Sequence, residues 1–311
     1  MAPPANTPTV LITGCSDGGL GAALAEAFAR RGYRVLATLR DPAKAGGLAK
    51  HPSGRIEVLP LDVTDKASIA SCATKVSAQT GGRLDILVNN AGSMFVMPLL
   101  DSDLDECKRL FDVNVWGLLA VTQAFAPMLV RSRGVVLNIA SIAGAVRLAW
   151  QGIYNSSKAA ARWLSETLRI EMQGLGVRVV TAMVGEVETN IYRNARAPPS
   201  LPPSSYYSAI KDLIFRQGTG QMQVENEPAS VTAENLVRDV LGGRDGHVWR
   251  GGVAGRAKYF HWVLPERLFE WFLHSSRGVY QVQPPTDLKS VTSNSHWTSA
   301  SHALQANAHR R

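Results

Sequence analysis

The chain has 311 residues, of which 45% are hydrophobic, with three cysteines and a formal net charge of +8. That is enough apolar material for one large core or two small ones. An odd cysteine number without metal-ligand spacing speaks against a disulfide framework or a metal centre and for a reducing, intracellular setting. The N-terminal MAPPANTPTV has neither the basic nor the apolar segment of a signal peptide, and no run of about 18 apolar residues suggests a membrane span. The positive charge suits a phosphorylated ligand or an anionic surface. No nucleic-acid-binding motif accompanies it, so nucleic acid is set aside as a partner.

After a short tail (1–7), residues 8–13 (PTVLIT) form a β-rich apolar run. They lead into TGCSDGGLG (13–21) and then AALAEAFARRGY, which has helical periodicity and a glycine stop at Gly32. In the order strand, glycine-rich turn, helix, such a turn brings backbone amides to a pyrophosphate, and the helix N-terminus adds partial positive charge. A tight turn between packed elements is the plainer alternative. YRVLATLR (33–40) is the second strand. The position at its end that holds an acidic residue in NAD-binding folds is Leu39 here, followed by Arg40. A guanidinium suits a 2′-phosphate, so NADP(H) is the expected cofactor.

RIEVLPLDV (55–63) and LDILVNNAG (84–92) read as the third and fourth strands, with a helix at 66–79 between them. Ser102 and Asp105 suggest a capping box for a long helix with Leu104, Phe111, Val115, Leu118, Phe125 and Leu129 on one stripe. Asn114, a poor interior helix former, either faces solvent there or has a specific task. VVLNIA (135–140) is the fifth strand, followed by Ser141 and by a helix that carries Tyr154 and Lys158 and ends at Gly174. Tyrosine and lysine four apart share one helix face, and an ammonium favours the phenolate, the arrangement a general acid/base needs. Spacing alone decides nothing, because Tyr207 and Lys211 have it too, without a preceding strand or a serine. VRVVTAMV (177–184) and HVWRG (247–251) complete the strands, with a helix at 231–241 and a long proline-rich segment, 185–229, that reads as a substrate loop with a helical piece near 206–216. Strands alternating with helices predict an α/β fold with a doubly wound parallel sheet of about seven strands.

Over roughly residues 8–251 the sequence resembles the short-chain dehydrogenase/reductase family. The resemblance rests on the glycine loop, LDV (61–63), NNAG (89–92), Asn114 in FDVNVWG, Ser141, and YNSSK beginning thirteen residues after Ser141. It implies a catalytic tetrad: Tyr154 as acid/base, Ser141 holding the substrate oxygen, Lys158 lowering the tyrosine pKa and binding the nicotinamide ribose, and Asn114 anchoring a relay water. It implies NADP contacts from Gly14, Ser16, Gly18, Gly19, Leu20 and Gly21, from Arg40, from Asp62 and Val63 to the adenine, from Asn90, Ala91 and Gly92, and from Val187 and Thr189 to the nicotinamide, besides Tyr154 and Lys158. Two features depart from the family pattern. The loop is one residue longer than TGxxxGxG, leaving open whether Gly18 or Gly19 takes the middle place. The usual Pro-Gly after the sixth strand is Val184-Gly185. A closer resemblance is to the subgroup that includes 1-acyldihydroxyacetone-phosphate reductases, a subgroup that also contains reductases of secondary-metabolite pathways.

The catalytic domain is expected to span 8–254. The extension 255–280 is dense in aromatic and apolar residues between 256 and 274, and Pro265 suits the first position of a second short helix. It reads either as a peripheral membrane or lipid-droplet anchor, with Arg256, Lys258, Arg267 and Arg277 near headgroups, or as packing over the substrate loop or a second subunit. Residues 281–311 are expected to be a disordered tail. The chain is thus expected to be an intracellular ketoreductase, cytoplasmic or attached to an endoplasmic-reticulum or lipid-droplet surface, dimeric or tetrameric. Its small-molecule carbonyl substrate is an acyl-dihydroxyacetone phosphate or a polyketide- or terpenoid-like compound; a non-catalytic NADP(H) sensor is the remote alternative.

Overall fold

The structure, a computed structural model, describes residues 7–195 and 197–282; the expected tails at 1–6 and 283–311 lie outside the described residues, as does Arg196. Seven parallel strands form one sheet in the order β3-β2-β1-β4-β5-β6-β9. These are β1 (Thr9–Thr13), β2 (Arg34–Leu39), β3 (Ile56–Pro60), β4 (Ile86–Asn89), β5 (Val135–Ile139), β6 (Arg178–Val184) and β9 (Gly246–Arg250). The order steps outward from β1 in both directions, so the crevice between the β1 and β4 ends is the topological switch point where such sheets bind ligands.

The strands are apolar on both faces because helices cover both. On one face Val10, Ile12, Val35 and Val180 pack with Leu24 and Phe28 of α1 (Leu20–Arg30) and Leu236 and Val240 of α7 (Ala229–Leu241). On the other, Leu11, Leu36, Leu87 and Val136 meet Ile69 and Val76 of α2 (Lys66–Thr80), Phe125 and Leu129 of α4 (Leu118–Ser132), and Met172 of α5 (Gly152–Gln173).

The long helix departs from its expected form in two respects. Its first segment, α3 (Leu104–Phe111), is capped by Asp103, whose carboxylate accepts from the Asp105 and Glu106 N–H groups at 3.0 and 2.9 Å. Ser102 instead donates to the Pro98 carbonyl, and the expected capping box does not form. A π-helical stretch, Asp112–Gly117, then joins α3 to α4. The wider turn changes the phase of the helix, so Leu104 is exposed rather than on the buried stripe, while Cys107 and Leu110 are buried in its place. The run Leu104–Ser132 is long and apolar enough to pass for a membrane span, yet half of its most apolar window is buried against the sheet layers.

The crossover after β6 includes the two-residue ladder β7 (Val187–Glu188) with β8 (Glu227–Pro228) and the helix α6 (Lys211–Gly218). The chain ends in α8 (Ala254–Val263) and α9 (Glu266–His274). Pro265 is the N-cap of α9 rather than its first helical residue.

Candidate active site

Where β1 ends, the chain must turn under the N-terminus of α1, and small residues make that approach possible. Gly14 has φ of +73°, and a Cβ there would meet Ala91 Cα at 2.8 Å. A Cβ on Gly21, in the first turn of α1, would meet the Gly14 carbonyl oxygen at 2.5 Å. Gly19 is the N-cap and offers no side-chain acceptor, and no acidic residue lies in the first turn. The amides at this helix end are therefore left for a ligand, and an anion is the partner they favour. Gly19, Ser16 and Leu20 line a cavity of about 650 Å³, whereas Gly18 does not; Gly18 N–H is turned to Asp17 Oδ1, and its Cα lies against the Asn190 side chain. Gly19 thus takes the middle place, and Gly18 serves the approach of the substrate loop.

The cavity continues past Leu39, Arg40, Asp62, Val63, Asn90, Ala91, Gly92, Val187 and Thr189. Asn90 lines the cavity, and its side-chain amide donates to the Thr13 and Gly14 carbonyls at 2.9 and 3.0 Å, clipping the end of β4 to the glycine loop. Thr13 Oγ1 completes the clip by accepting from the Asn90 and Ala91 N–H groups. Lys44, absent from the sequence-based set, lines the cavity beside Arg40. Two carboxylates lie nearby, and Asp41 lines the same cavity. Asp41 caps the turn at the Ala43 N–H, and the Asp17 side chain lies against Gly46. An unprotected helix N-terminus and a cradle that any Cβ would fill fit the pyrophosphate of a dinucleotide.

At the far end, β5 delivers Ser141 and α5 delivers Tyr154 and Lys158, all lining the same cavity. Ser141 has extended backbone, accepts from the Ala143 N–H at 3.2 Å, and is hydrogen-bonded to Tyr154. Lys158 Nζ donates to the Ile139 carbonyl at 3.0 Å and lies 6.0 Å from the Tyr154 ring centre. Both side chains are buried, at 5% and 6% exposure. Burial pushes the Tyr154 phenol up to about 12, partly offset by the Ser141 hydrogen bond, and brings Lys158 down to about 8. Desolvation thus dominates the phenol, and the expected lowering by its lysine is not seen.

Asn114 is 2% exposed and sits within the π-helical stretch. Its Oδ1 accepts from the Ser93 N–H, and its amide donates to the Ser93 carbonyl and Ser157 Oγ, at 2.8 to 3.0 Å. The specific task is thus visible. Its side chain fixes the loop after β4 to α5. Beneath it runs a buried polar chain: Asn89 donates to Thr122 and Asn138, and Asn138 to Ser165.

The second Tyr–Lys pair lies outside the cavity lining. Tyr207 packs edge-on against Trp150, ring centres 5.1 Å apart, so it is a packing residue of the 185–229 segment. Lys211 is exposed. Gly185 has a steric reason, since a Cβ there would coincide with the Gly252 carbonyl oxygen while its N–H donates to the Arg250 carbonyl; nothing in the structure explains Val184 in place of proline.

The comparisons agree with this geometry. The short chain dehydrogenase family model matches residues 8–200. The chain belongs to the short-chain dehydrogenases. It is 45% identical to the short-chain dehydrogenase cctT of Talaromyces islandicus, over 88% of this chain and 96% of that one. It is 38% identical to the NADPH-dependent 1-acyldihydroxyacetone phosphate reductase of Schizosaccharomyces pombe, over 66% and 70%. A short-chain dehydrogenase structure from Streptomyces avermitilis superposes with a TM-score of 0.73 at 30% identity, covering 88% of this chain and 98% of that one. One from Burkholderia cenocepacia in complex with NADP gives 0.66 at 25%, covering 90% and 99%. This short-chain dehydrogenase is accordingly an oxidoreductase with the seven-stranded dinucleotide fold.

Among the described residues no cluster of His, Cys, Asp or Glu could hold a metal ion. The three cysteines are buried and free, and burial raises Cys15 to about 12 and Cys72 to about 11, which keeps both as inert thiols.

Proposed function

We propose that this short-chain dehydrogenase is an NADPH-dependent ketone reductase. The observation that carries the reading is the convergence of Ser141, Tyr154 and Lys158 at one end of a cavity whose other end holds Arg40 and Lys44. When bound, the dinucleotide supplies the hydride that attacks the carbonyl carbon. Ser141 Oγ orients the carbonyl oxygen, and Tyr154 gives its phenolic proton to the oxygen as it becomes an alkoxide. A phenol held near 12 is fully protonated at neutral pH and is still a far stronger acid than an alcohol, so the transfer runs downhill. The Lys158 ammonium then stabilises the phenolate, and Asn114 keeps α5 and the β4 loop in register.

Arg40 and Lys44 supply the preference for a 2′-phosphate. Arg40→Ala should cut the NADPH-over-NADH ratio of kcat/KM at least about tenfold; an unchanged ratio contradicts this assignment. The substrate is a ketone with an apolar body. The Schizosaccharomyces pombe relative supports an acyl-dihydroxyacetone phosphate. The apolar and aromatic cluster of Met94, Val96, Trp150, Ile191 and Tyr192 around Tyr154 supports a ring-bearing polyketide- or terpenoid-like carbonyl instead. NADPH oxidation with members of both classes tests the reading: a protein that binds NADPH and reduces none of them is a sensor, not a reductase.

Two surfaces suit further contacts. Trp163 and Ile170, one helical face of α5, are 70% and 64% exposed and fit a symmetric dimer. Tyr259, Trp262, Val263, Trp271 and Phe272 of α8 and α9 are at least 56% exposed, which fits peripheral attachment to an endoplasmic-reticulum or lipid-droplet surface. Liposome flotation that is unchanged by deletion of 256–311 would rule out the attachment.

A further inference from the structure

The C-terminal extension does more than present aromatics: it delivers a cation to the catalytic cavity. Its last turn is fixed from both sides. Ala149 N–H donates to His274 Nε2 at 3.3 Å, and Trp150 Nε1 donates to the Arg277 carbonyl at 2.8 Å. Gly278, with φ of +73°, lies so close to α6 that a Cβ would meet Leu213 Cδ1 at 2.6 Å. The opposite face of the Ala149 peptide accepts from Gln217 Nε2 at 2.8 Å, locking the segment before α5 between lid and extension. The backbone of Arg277 is therefore placed, not draped, and the expectation that this arginine lies near membrane headgroups is not met.

Arg277 lines the same cavity as Tyr154 and Tyr192, and its charge acts on Tyr192. Nε donates to the Leu273 carbonyl at 3.0 Å, and among the described residues no carboxylate forms an ion pair with it. Glu186 acts on it only from beyond ion-pair distance, and Glu186 Oε2 accepts from the Val224 and Glu225 N–H groups at 2.7 Å. Tyr192 is the other group that faces it. A largely buried, unpaired guanidinium is costly unless a ligand brings the counter-charge, and its fork suits an anionic oxygen pair.

We infer that Arg277 is a specificity residue that binds an anionic oxygen group, carboxylate or phosphate, on the ketone reduced at Tyr154. This rests on the reductase reading above and narrows its substrate class. Arg277 lies beyond residues 8–200, the part matched by the family model, so the selectivity belongs to the extension.

The test uses matched pairs with the full-length protein and NADPH: 4-acetylbenzoate against its methyl ester, and palmitoyl-dihydroxyacetone phosphate against palmitoyl-dihydroxyacetone. The wild type should favour the anionic member of at least one pair tenfold or more in kcat/KM, chiefly through KM, and the responsive pair separates carboxylate from phosphate. Arg277→Gln should bring that ratio near one while leaving the neutral member within twofold, and Arg277→Lys should retain part of it. Reduction of neutral ketones with no anion preference, or a preference that survives Arg277→Gln, overturns the inference and leaves the reductase reading standing. Binding of the anionic probes that quenches NADPH fluorescence and is lost in Arg277→Gln, without turnover of any ketone, sinks the reductase reading and keeps the anion site. An Arg277→Gln change that weakens NADPH binding instead assigns the arginine to the cofactor and also overturns the inference.

Discussion

Tyr154–Lys158 and Tyr207–Lys211 have the same four-residue spacing and opposite fates. The first tyrosine is buried beside Ser141, and its lysine is buried and held by the Ile139 carbonyl at the end of β5. The second tyrosine leans on Trp150 outside the cavity lining, and its lysine reaches solvent. A tyrosine and a lysine on one helix face become acid/base machinery only where a strand end and a cavity meet them. Desolvation perturbs the first pair, raising the phenol and lowering the ammonium, which is consistent with the proposed acid/base role of this pair.

The comparison can be broken most severely at the lysines. Lys158→Met should lower kcat/KM for ketone reduction by about 10³-fold, within the span general acid–base contributions cover, while Lys211→Met should stay within twofold. The same lysine sets a pH limb. With its pKa lowered to about 8, Lys158 loses its proton as pH rises through that value, so kcat/KM for NADPH should fall about tenfold per pH unit above it. A flat profile from pH 7 to 9.5 would separate Lys158 from the chemistry.

Its burial also has a stability cost. The unfolded chain binds the proton up to about 10.5 and the folded chain only to about 8, so stability attributable to this group rises with pH through that window. The shift corresponds to something on the order of 3 kcal/mol. The apoprotein of Lys158→Met should therefore melt no lower than the wild type at pH 7, despite its lost activity.

The smallest effect concerns His274, which must be neutral to accept from the Ala149 N–H. Burial and the Arg277 charge lower its pKa, and the undocked imidazole takes up a proton more readily. Docking of α9 is then complete above the ordinary histidine range near 6.5 and weakens as pH falls below it toward the lowered value. Arg147, bridged to Glu266 and Glu270, and Trp150 face the same segment. Proteolysis at α9 should accelerate a few-fold between pH 7 and 5 in the wild type and be pH-independent in His274→Gln.

Much of this was legible in the sequence because the strands and the glycine turn are local signals. The seven strands, the position of Asn114 inside a helix and the Ser141–Tyr154 interval all follow from residue order. What was not legible depends on segments distant in sequence. Lys44 reaches the cofactor end only because a 3₁₀ turn after β2 folds back, and Arg277 reaches the catalytic end only because Trp150 and Gly278 hold its turn. The π-helical stretch at 112–117 leaves no composition signal, so the phase error at Leu104 was unavoidable. The Asn90 clip is invisible in its own motif, because the carbonyls that capture its amide belong to Thr13 at the end of β1 and to Gly14 just beyond it.

The central claim is that the proton comes from the buried tyrosine and not from a Tyr–Lys pair as such. Single-turnover oxidation of bound NADPH by a ketone that the wild type accepts tests it most directly in Tyr154→Phe and Tyr207→Phe. Tyr154→Phe should slow the step at least about 10²-fold with NADPH affinity kept within a few-fold, and Tyr207→Phe should leave it within twofold. Equal rates in the wild type and Tyr154→Phe, or equal losses in both variants, would contradict the account.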